Sequence, residues 1–405
     1  MADRYWVGGS ANWDGVALLK WSTTSGGLGG AAVPTTADDV FFTNLSTGNC
    51  IISAGNTGAK SINCTGFAGT FSGTAGMTVA GSVTLAAGMS FPYIGLITIT
   101  GTGTLTTAGK FPNNITINGS GITVTLGDAL NTNIITLTQG TFNANIYNVT
   151  CSILSSSNSN IRTITMGSGL WTLSGSGTIW NTAITTNLTF NKNTANILLS
   201  NTSGLGRAFS GGGLSFNKLT IGGATGTSVF TFNGANTFSE LASTKTVAHT
   251  IRFAASANGT TINVWSVTGT AGNIVTVDSS TVGTQRNFNL TNVTSGIDYL
   301  SVKDIAVNQA NRFYVGVNST NGGNNLNVIF TAPPSIGYTI TAVNGTYLVS
   351  GQTATLSFGR LLSAQNGVYS VAGQAVDISV GAPPAPTLGI ELFVEIRSFT
   401  ERRRF

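Results

Sequence analysis

The feature that most constrains this chain is a run of very short apolar triplets set in Thr, Ser, Asn and Gly. Met77-Thr78-Val79, Val83-Thr84-Leu85, Ile97-Thr98-Ile99, Ile115-Thr116-Ile117 and Ile122-Thr123-Val124-Thr125-Leu126 are examples. In each, apolar side chains two apart point to one face of a strand and the Thr between them points to the other. Gly or Asn closes most of these strands within a residue or two, more often than a sandwich requires. A chain that keeps making short strands with one dry face and then turning winds a solenoid, because only stacked coils bury that face. The pattern continues through Leu170-Trp171-Thr172-Leu173, Leu188-Thr189-Phe190 and Val229-Phe230-Thr231-Phe232 without a rigid period. At ~20–25 residues and about 4.8 Å per coil, such a segment makes a stiff rod on the order of 55–65 Å long.

Only 8% of the 405 residues are charged and 41% are hydrophobic, which excludes a disordered chain. Thr, Ser, Asn and 53 Gly disfavour helix, and only 16–20 has the composition for a helical turn. The net charge of +5 comes largely from Arg397, Arg402, Arg403 and Arg404. The body carries no basic stripe interleaved with aromatics, so no nucleic-acid partner is expected. Cys50, Cys64 and Cys151 lack metal-ligand spacing and read as core residues. A single histidine, His249, argues against a Cys/His zinc site. No metal and no cofactor are expected. No apolar run reaches the ~18 residues of a membrane span, and Met1-Ala2-Asp3-Arg4-Tyr5-Trp6 does not open a secretory signal. Synthesis in the cytoplasm without membrane insertion is the expectation.

Four regions follow. Residues 1–50 hold Trp6, Trp13 and Trp21 among paired glycines and read as an aromatic cap over the open end of the solenoid. The competing reading is a Trp-lined surface for a sugar or a partner. Residues 51–330 are the solenoid. In 331–386, Asn344-Gly345-Thr346-Tyr347 and Asn366-Gly367-Val368-Tyr369 recur 22 residues apart, with Gly351-Gln352 and Gly373-Gln374 in register. Each copy reads as turn, strand, turn, which predicts a small antiparallel β module between Pro333-Pro334 and Pro383-Pro384-Ala385-Pro386. Residues 387–405 hold a terminal strand at 390–396 and a basic tail. There Arg397, Phe399, Arg402, Arg403, Arg404 and Phe405 form either a solvated end or a docking element for carboxylates of a neighbouring subunit. The expected fold class is all-β: a right-handed parallel β-helix with an N-terminal aromatic cap and a small C-terminal antiparallel β module.

Polysaccharide hydrolysis needs two carboxylates facing one groove. Between Asp128 and Asp278 the chain has only Glu240. The remaining sets are Asp278, Asp298 and Asp304, and Asp14, Asp38 and Asp39. Asp38-Asp39 reads better as a turn cap than as a calcium site, and Lys303 reads as the partner of Asp304. His249, within Val247-Ala248-His249-Thr250-Ile251, is a strand-face residue rather than a triad member. Gly211-Gly212-Gly213 lacks the Lys-Ser/Thr of a phosphate loop. No catalytic residue is assigned.

Tyr5-Trp6-Val7-Gly8-Gly9, followed by Trp13, Trp21-Ser22, Ser25-Gly26-Gly27, Pro34-Thr35 and Asp38-Asp39-Val40-Phe41-Phe42, resembles the opening of β-helical virion proteins of tailed bacteriophages, of tail-fibre, spike or head-fibre type. Tyr299-Leu300-Ser301-Val302-Lys303-Asp304 and Asn318-Ser319-Thr320-Asn321-Gly322-Gly323-Asn324-Asn325 resemble the end of the solenoid in that group. There Leu326-Asn327-Val328 stands where the group often has Gly-Trp. The resemblance implies a non-enzymatic structural protein of the virion, a tail fibre or spike component used in host-surface contact. The alternatives are a head decoration or head-fibre protein and a polysaccharide-depolymerising spike. The implied partners are other virion proteins and a host cell-surface glycan. The uncharged Thr/Asn surface adds a homo-oligomer with a trimer favoured.

Overall fold

The computed structural model describes residues 2–13, 19–53, 57–254, 259–293, 296–308 and 312–333. It also describes the strands Leu348–Val349, Leu356–Phe358, Ser370–Val371, Ile378–Val380, Ile390–Glu395 and Ser398–Arg403. The described residues are all-β, with no helix, and fall in two compact units, Met1–Ala332 and Pro333–Phe405.

The first unit is a parallel β-solenoid of about 12 turns. At about 4.8 Å per turn the stack is ~58 Å long. One ladder runs from Thr57–Ala59 through Met77–Val79, Leu96–Ile99, Ile153–Ser155, Arg207–Ser210, Val229–Asn233, His249–Phe253 and Val275–Ser279 to Leu300–Val302 and Thr320–Asn321. A second runs from Asp3–Trp6 through Asp39–Phe41 and Ser61–Asn63 to Arg162–Thr165 and Leu188–Asn191. Asn114–Leu126 and Ile134–Asn143 bend through both, which joins them into one 21-stranded sheet. A third, 9-stranded ladder spans Leu130–Asn131 to Ile305–Val307.

The triplets produce this stack directly. Ile97, Ile115, Ile135 and Leu154 sit in register on successive turns and are at most 2% exposed. Burying each such side chain contributes about 1.5–3 kcal/mol, which no single three-residue strand obtains alone. Asn145, Asn187, Asn193, Asn324 and Asn327 turn corners with φ between 46° and 58°, a left-handed backbone that Asn tolerates better than most residues. Cys50, Cys64 and Cys151 are free and buried in the same core, and burial pushes the Cys151 thiol up to about 12.

At the N-terminus, Trp21–Ser22 runs antiparallel along the outer edge of Asp3–Trp6, with Trp21 opposite Trp6. Trp6, Trp13 and Trp21 are at most 1% exposed, so none presents an indole face to solvent. Trp21 packs edge-on against Trp6 at 5.1 Å and Trp13 at 4.7 Å, and Phe42 continues the cluster into the ladder core. Asp14 and most of the 16–20 segment lie outside the described residues.

The second unit corrects one expectation. The 331–386 module pairs in parallel: Leu348–Val349 with Ser370–Val371, and Leu356–Phe358 with Ile378–Val380. Both pairings step by the 22 residues of the sequence repeat (Leu348 to Ser370, Leu356 to Ile378), so like segments stack as coils do. An Asn-Gly pair serves a solenoid corner as readily as a hairpin turn. The antiparallel pairing of this unit lies further on, where Ser398–Arg403 folds back on Ile390–Glu395.

Candidate functional site

The outer faces of the ladders carry the most regular chemistry. Thr78, Thr98, Thr116, Thr136 and Ser155 form one outward column in register. On the second ladder Thr123, Thr141, Thr163 and Thr189 form another, and Thr125, Asn143, Thr165 and Asn191 a third beside it. All are at least partly exposed, and no column holds a charged residue. Strand geometry sets the grid: about 4.8 Å between rungs and ~6.6 Å between alternate residues. Asn191 Nδ2 donates to Thr165 Oγ1 at 3.2 Å, linking two rungs. The Thr123, Thr141, Thr163 and Thr189 hydroxyls have no protein partner among the described residues, so each can donate to and accept from a ligand.

The described carboxylates singled out from the sequence are engaged within the protein, some with backbone amides and some in side-chain pairs. Asp38 accepts from Ala2 N, Thr35 N and Thr35 Oγ1, the turn cap expected of it. Asp39 pairs with Lys60 at 2.7 Å. Asp278 accepts both prongs of Arg252, at 2.8 and 2.7 Å. Asp298 accepts from Tyr299 N, Asn318 N and Asn318 Nδ2. Asp304 accepts from Gly283 N at 3.0 Å and Asn324 Nδ2 at 2.7 Å. Its hydrogen-bond partners are thus the neighbouring coils rather than Lys303. Asp298 and Asp304 occupy opposite ends of the rung Leu300–Val302, and Asp278 lies on the rung before it. Asp298 and Asp304 therefore do not face one groove. Burial pushes the Asp38, Asp39 and Asp298 carboxyls up, but their hydrogen bonds outweigh it and leave all three below the ordinary range. The Asn324 hydrogen bond likewise lowers Asp304. A general acid needs the opposite shift.

Sequence reasoning missed the buried cations. Arg162 is fully buried and Arg207 is 2% exposed. Arg162 donates to the carbonyls of Asn160, Ser156, Ile184 and Thr186. Arg207 donates to those of Gly175, Leu205 and Ser203. Lys245 donates to Gly223 O at 3.1 Å and Thr225 O at 2.9 Å. Each pins corner backbone that would otherwise turn unsatisfied carbonyls inward. A signal existed: Arg162 and Arg207 occupy the apolar slots of Arg162-Thr163-Ile164 and Arg207-Ala208-Phe209, where alternation points them to the core.

Phe399, Arg402 and Arg403 lie in the strand Ser398–Arg403, with Arg402 in register with Glu391 and Phe399 with Val394. The basic segment is therefore a paired strand over those residues. Arg397, Arg404 and Phe405 lie outside the described residues. Among the described residues no group of three or more His, Cys, Asp or Glu could hold a metal ion, and no helix is long and apolar enough to cross a membrane. No family model, no curated protein and no solved structure matches the chain.

Proposed function

We propose that the chain is a non-enzymatic structural component of a tailed-bacteriophage virion, a tail fibre or spike protein that projects from the particle and contacts the host surface. The observation that carries this reading is the unbroken parallel ladder with uncharged hydroxyl and amide columns outside, a stiff spacer with a neutral adhesive face. The opening motif from Tyr5 to Phe42 supports the phage assignment by resemblance. The engagement of Asp38, Asp39, Asp278, Asp298 and Asp304 in backbone and ion-pair contacts supports a non-enzymatic role. The grid around Thr123, Thr141 and Thr163 is the surface this reading assigns to a host glycan, and the protein acts as a homotrimer.

Antibody labelling of purified particles tests the assignment. Label at the tail tip is the expected result; label over the capsid makes it a head-fibre or decoration protein, and its absence from particles removes the virion reading. Release of reducing sugar from host polysaccharide, lost in Asp298→Ala or Asp304→Ala, would establish the depolymerase instead. Light scattering of the purified chain reads the trimer.

A further inference from the structure

We infer that residues 222–228 and 244–248 form a pH-gated corner of the solenoid, held closed while His249 is neutral and loosened when its imidazole takes up a proton. His249 opens the strand His249–Phe253 and is 4% exposed. Its Nδ1 lies 2.9 Å from Val247 O and its Nε2 3.0 Å from Ser243 Oγ. A carbonyl only accepts, so Nδ1 carries the proton and Nε2 accepts from the Ser243 hydroxyl. The neutral ring is fully satisfied this way. A second proton on Nε2 meets that hydroxyl hydrogen head-on, and Ser243 must turn it toward Ile221 O, 3.4 Å away and already accepting from Thr244 N.

Among the described residues the surroundings supply no compensating anion. On the corner before His249 lies Lys245, 7% exposed. On the preceding rung, Ser228 Oγ is buried without a partner among the described residues, and Phe230 packs edge-on at 6.2 Å. Beyond Phe230 lies Arg207, its guanidinium 5.3 Å from the ring. On the following rung His249 registers with Val275, whose amide bonds Tyr299 O. Arg252 and Asp278 sit at outward positions of these two strands and are paired with each other. An imidazolium here is a second cation beside Lys245, which already feels the charge of Arg207. Burial, then the Lys245 charge, lower the His249 titration below the ordinary 6.5 despite the Val247 hydrogen bond. The stabilisation is therefore full above about 6.5 and is lost as pH falls through the lower folded value.

The effect is local because the same groups tie the corners. Lys245 grips Gly223 O and Thr225 O, and Arg207 grips Ser203 O and Leu205 O. Repulsion from His249 acts on the Lys245 grip, and Gly223 and Gly226, with φ of 95° and 80°, give the corner its freedom to open.

The chain has one histidine, so its ring resonances report the titration in the full-length protein without assignment. Hydrogen exchange of peptides across 222–228 and 244–248, corrected for intrinsic pH dependence, reports the opening. The expected result is a midpoint below 6.5, with a several-fold loss of corner protection at the same midpoint and none across 97–155. Lys245→Met should raise the midpoint, and His249→Asn, which cannot titrate, should abolish the step in protection. A wild-type midpoint at or above 6.5, or the same step in His249→Asn, overturns the proposal. If His249→Asn does not fold, a midpoint unmoved by Lys245→Met overturns it equally.

Discussion

Two stretches of one ladder solve the same packing problem differently. From Leu96–Ile99 to Ile153–Ser155 the turns are short, 18 to 20 residues (Ile97 to Ile115, Ile115 to Ile135, Ile135 to Leu154), and the inner column is aliphatic. From Gly177–Asn181 to His249–Phe253 they lengthen to 21 to 29 residues (Trp180 to Phe209, Phe209 to Phe232, Phe232 to Phe253), and the column becomes aromatic. Trp180 stacks on Phe209 at 5.4 Å and Phe232 on Phe253 at 5.5 Å. A longer coil encloses more space, and an interior packed to crystal-like density needs bulkier side chains to fill it. Longer corners also turn more carbonyls inward. The buried cationic side chains of the described residues, Arg162, Arg207 and Lys245, all lie beyond the short-turn stretch. Turn length thus sets both the filler and the corner chemistry.

The sharpest test of that contrast is truncation within each column. Phe209→Ala should cost about 3–5 kcal/mol, because the wide coil cannot collapse around the gap, whereas Ile135→Val should cost about 0.5–1.5 kcal/mol. Urea unfolding measures both, and equal costs would break the link between turn length and filler. Next in size is Arg162→Met, which leaves the carbonyls of Asn160, Ile184 and Thr186 without that donor. A loss of about 1–3 kcal/mol is expected. Arg162→Lys should recover only part of it, because an ammonium lacks the planar fork. A methionine variant as stable as the parent would show that the corner needs no cation.

The short-turn half was the more legible of the two from sequence. Met77-Thr78-Val79 and Ile97-Thr98-Ile99 announce their inner and outer faces through a local alternation that the fold preserves unchanged. Arg162 escaped notice because a charged residue in such a pattern is ordinarily given to solvent, and only the next coil supplies the carbonyls that let it be buried. Asp304 escaped for a similar reason: its partner Asn324 is one coil away, whereas Lys303 is merely adjacent. The 22-residue repeat at 344–374 was visible, but whether its turns reverse the chain or wind it depends on which strand receives it. Local turn chemistry does not carry that information.

Outside the core the two halves should become alike. Thr163→Asp, on the neutral grid of the second ladder, should change stability by no more than about 0.5 kcal/mol in thermal unfolding. On the proposed reading of this grid as a glycan surface, it should nonetheless reduce retention on host-surface glycan, since it sets a hydrated charge among uncharged hydroxyls. Retention unchanged would remove the grid from that proposal.

The smallest effect concerns ion pairs laid across rungs in both halves. Lys60 pairs with Asp39 and Lys218 with Glu240, the lysines being 38% and 42% exposed. At such exposure water and salt screen the attraction, so each pair should couple by less than about 1 kcal/mol in a double-mutant cycle. Arg252, 38% exposed like Lys60, meets Asp278 through two parallel hydrogen bonds, and that geometry should couple the pair more strongly. Raising salt should weaken the two lysine pairs first. Should Lys218 and Glu240 couple as strongly as Arg252 and Asp278, the paired hydrogen bonds would not be what ranks these contacts. The rigidity of a rung, shared by both halves, would then be the governing term.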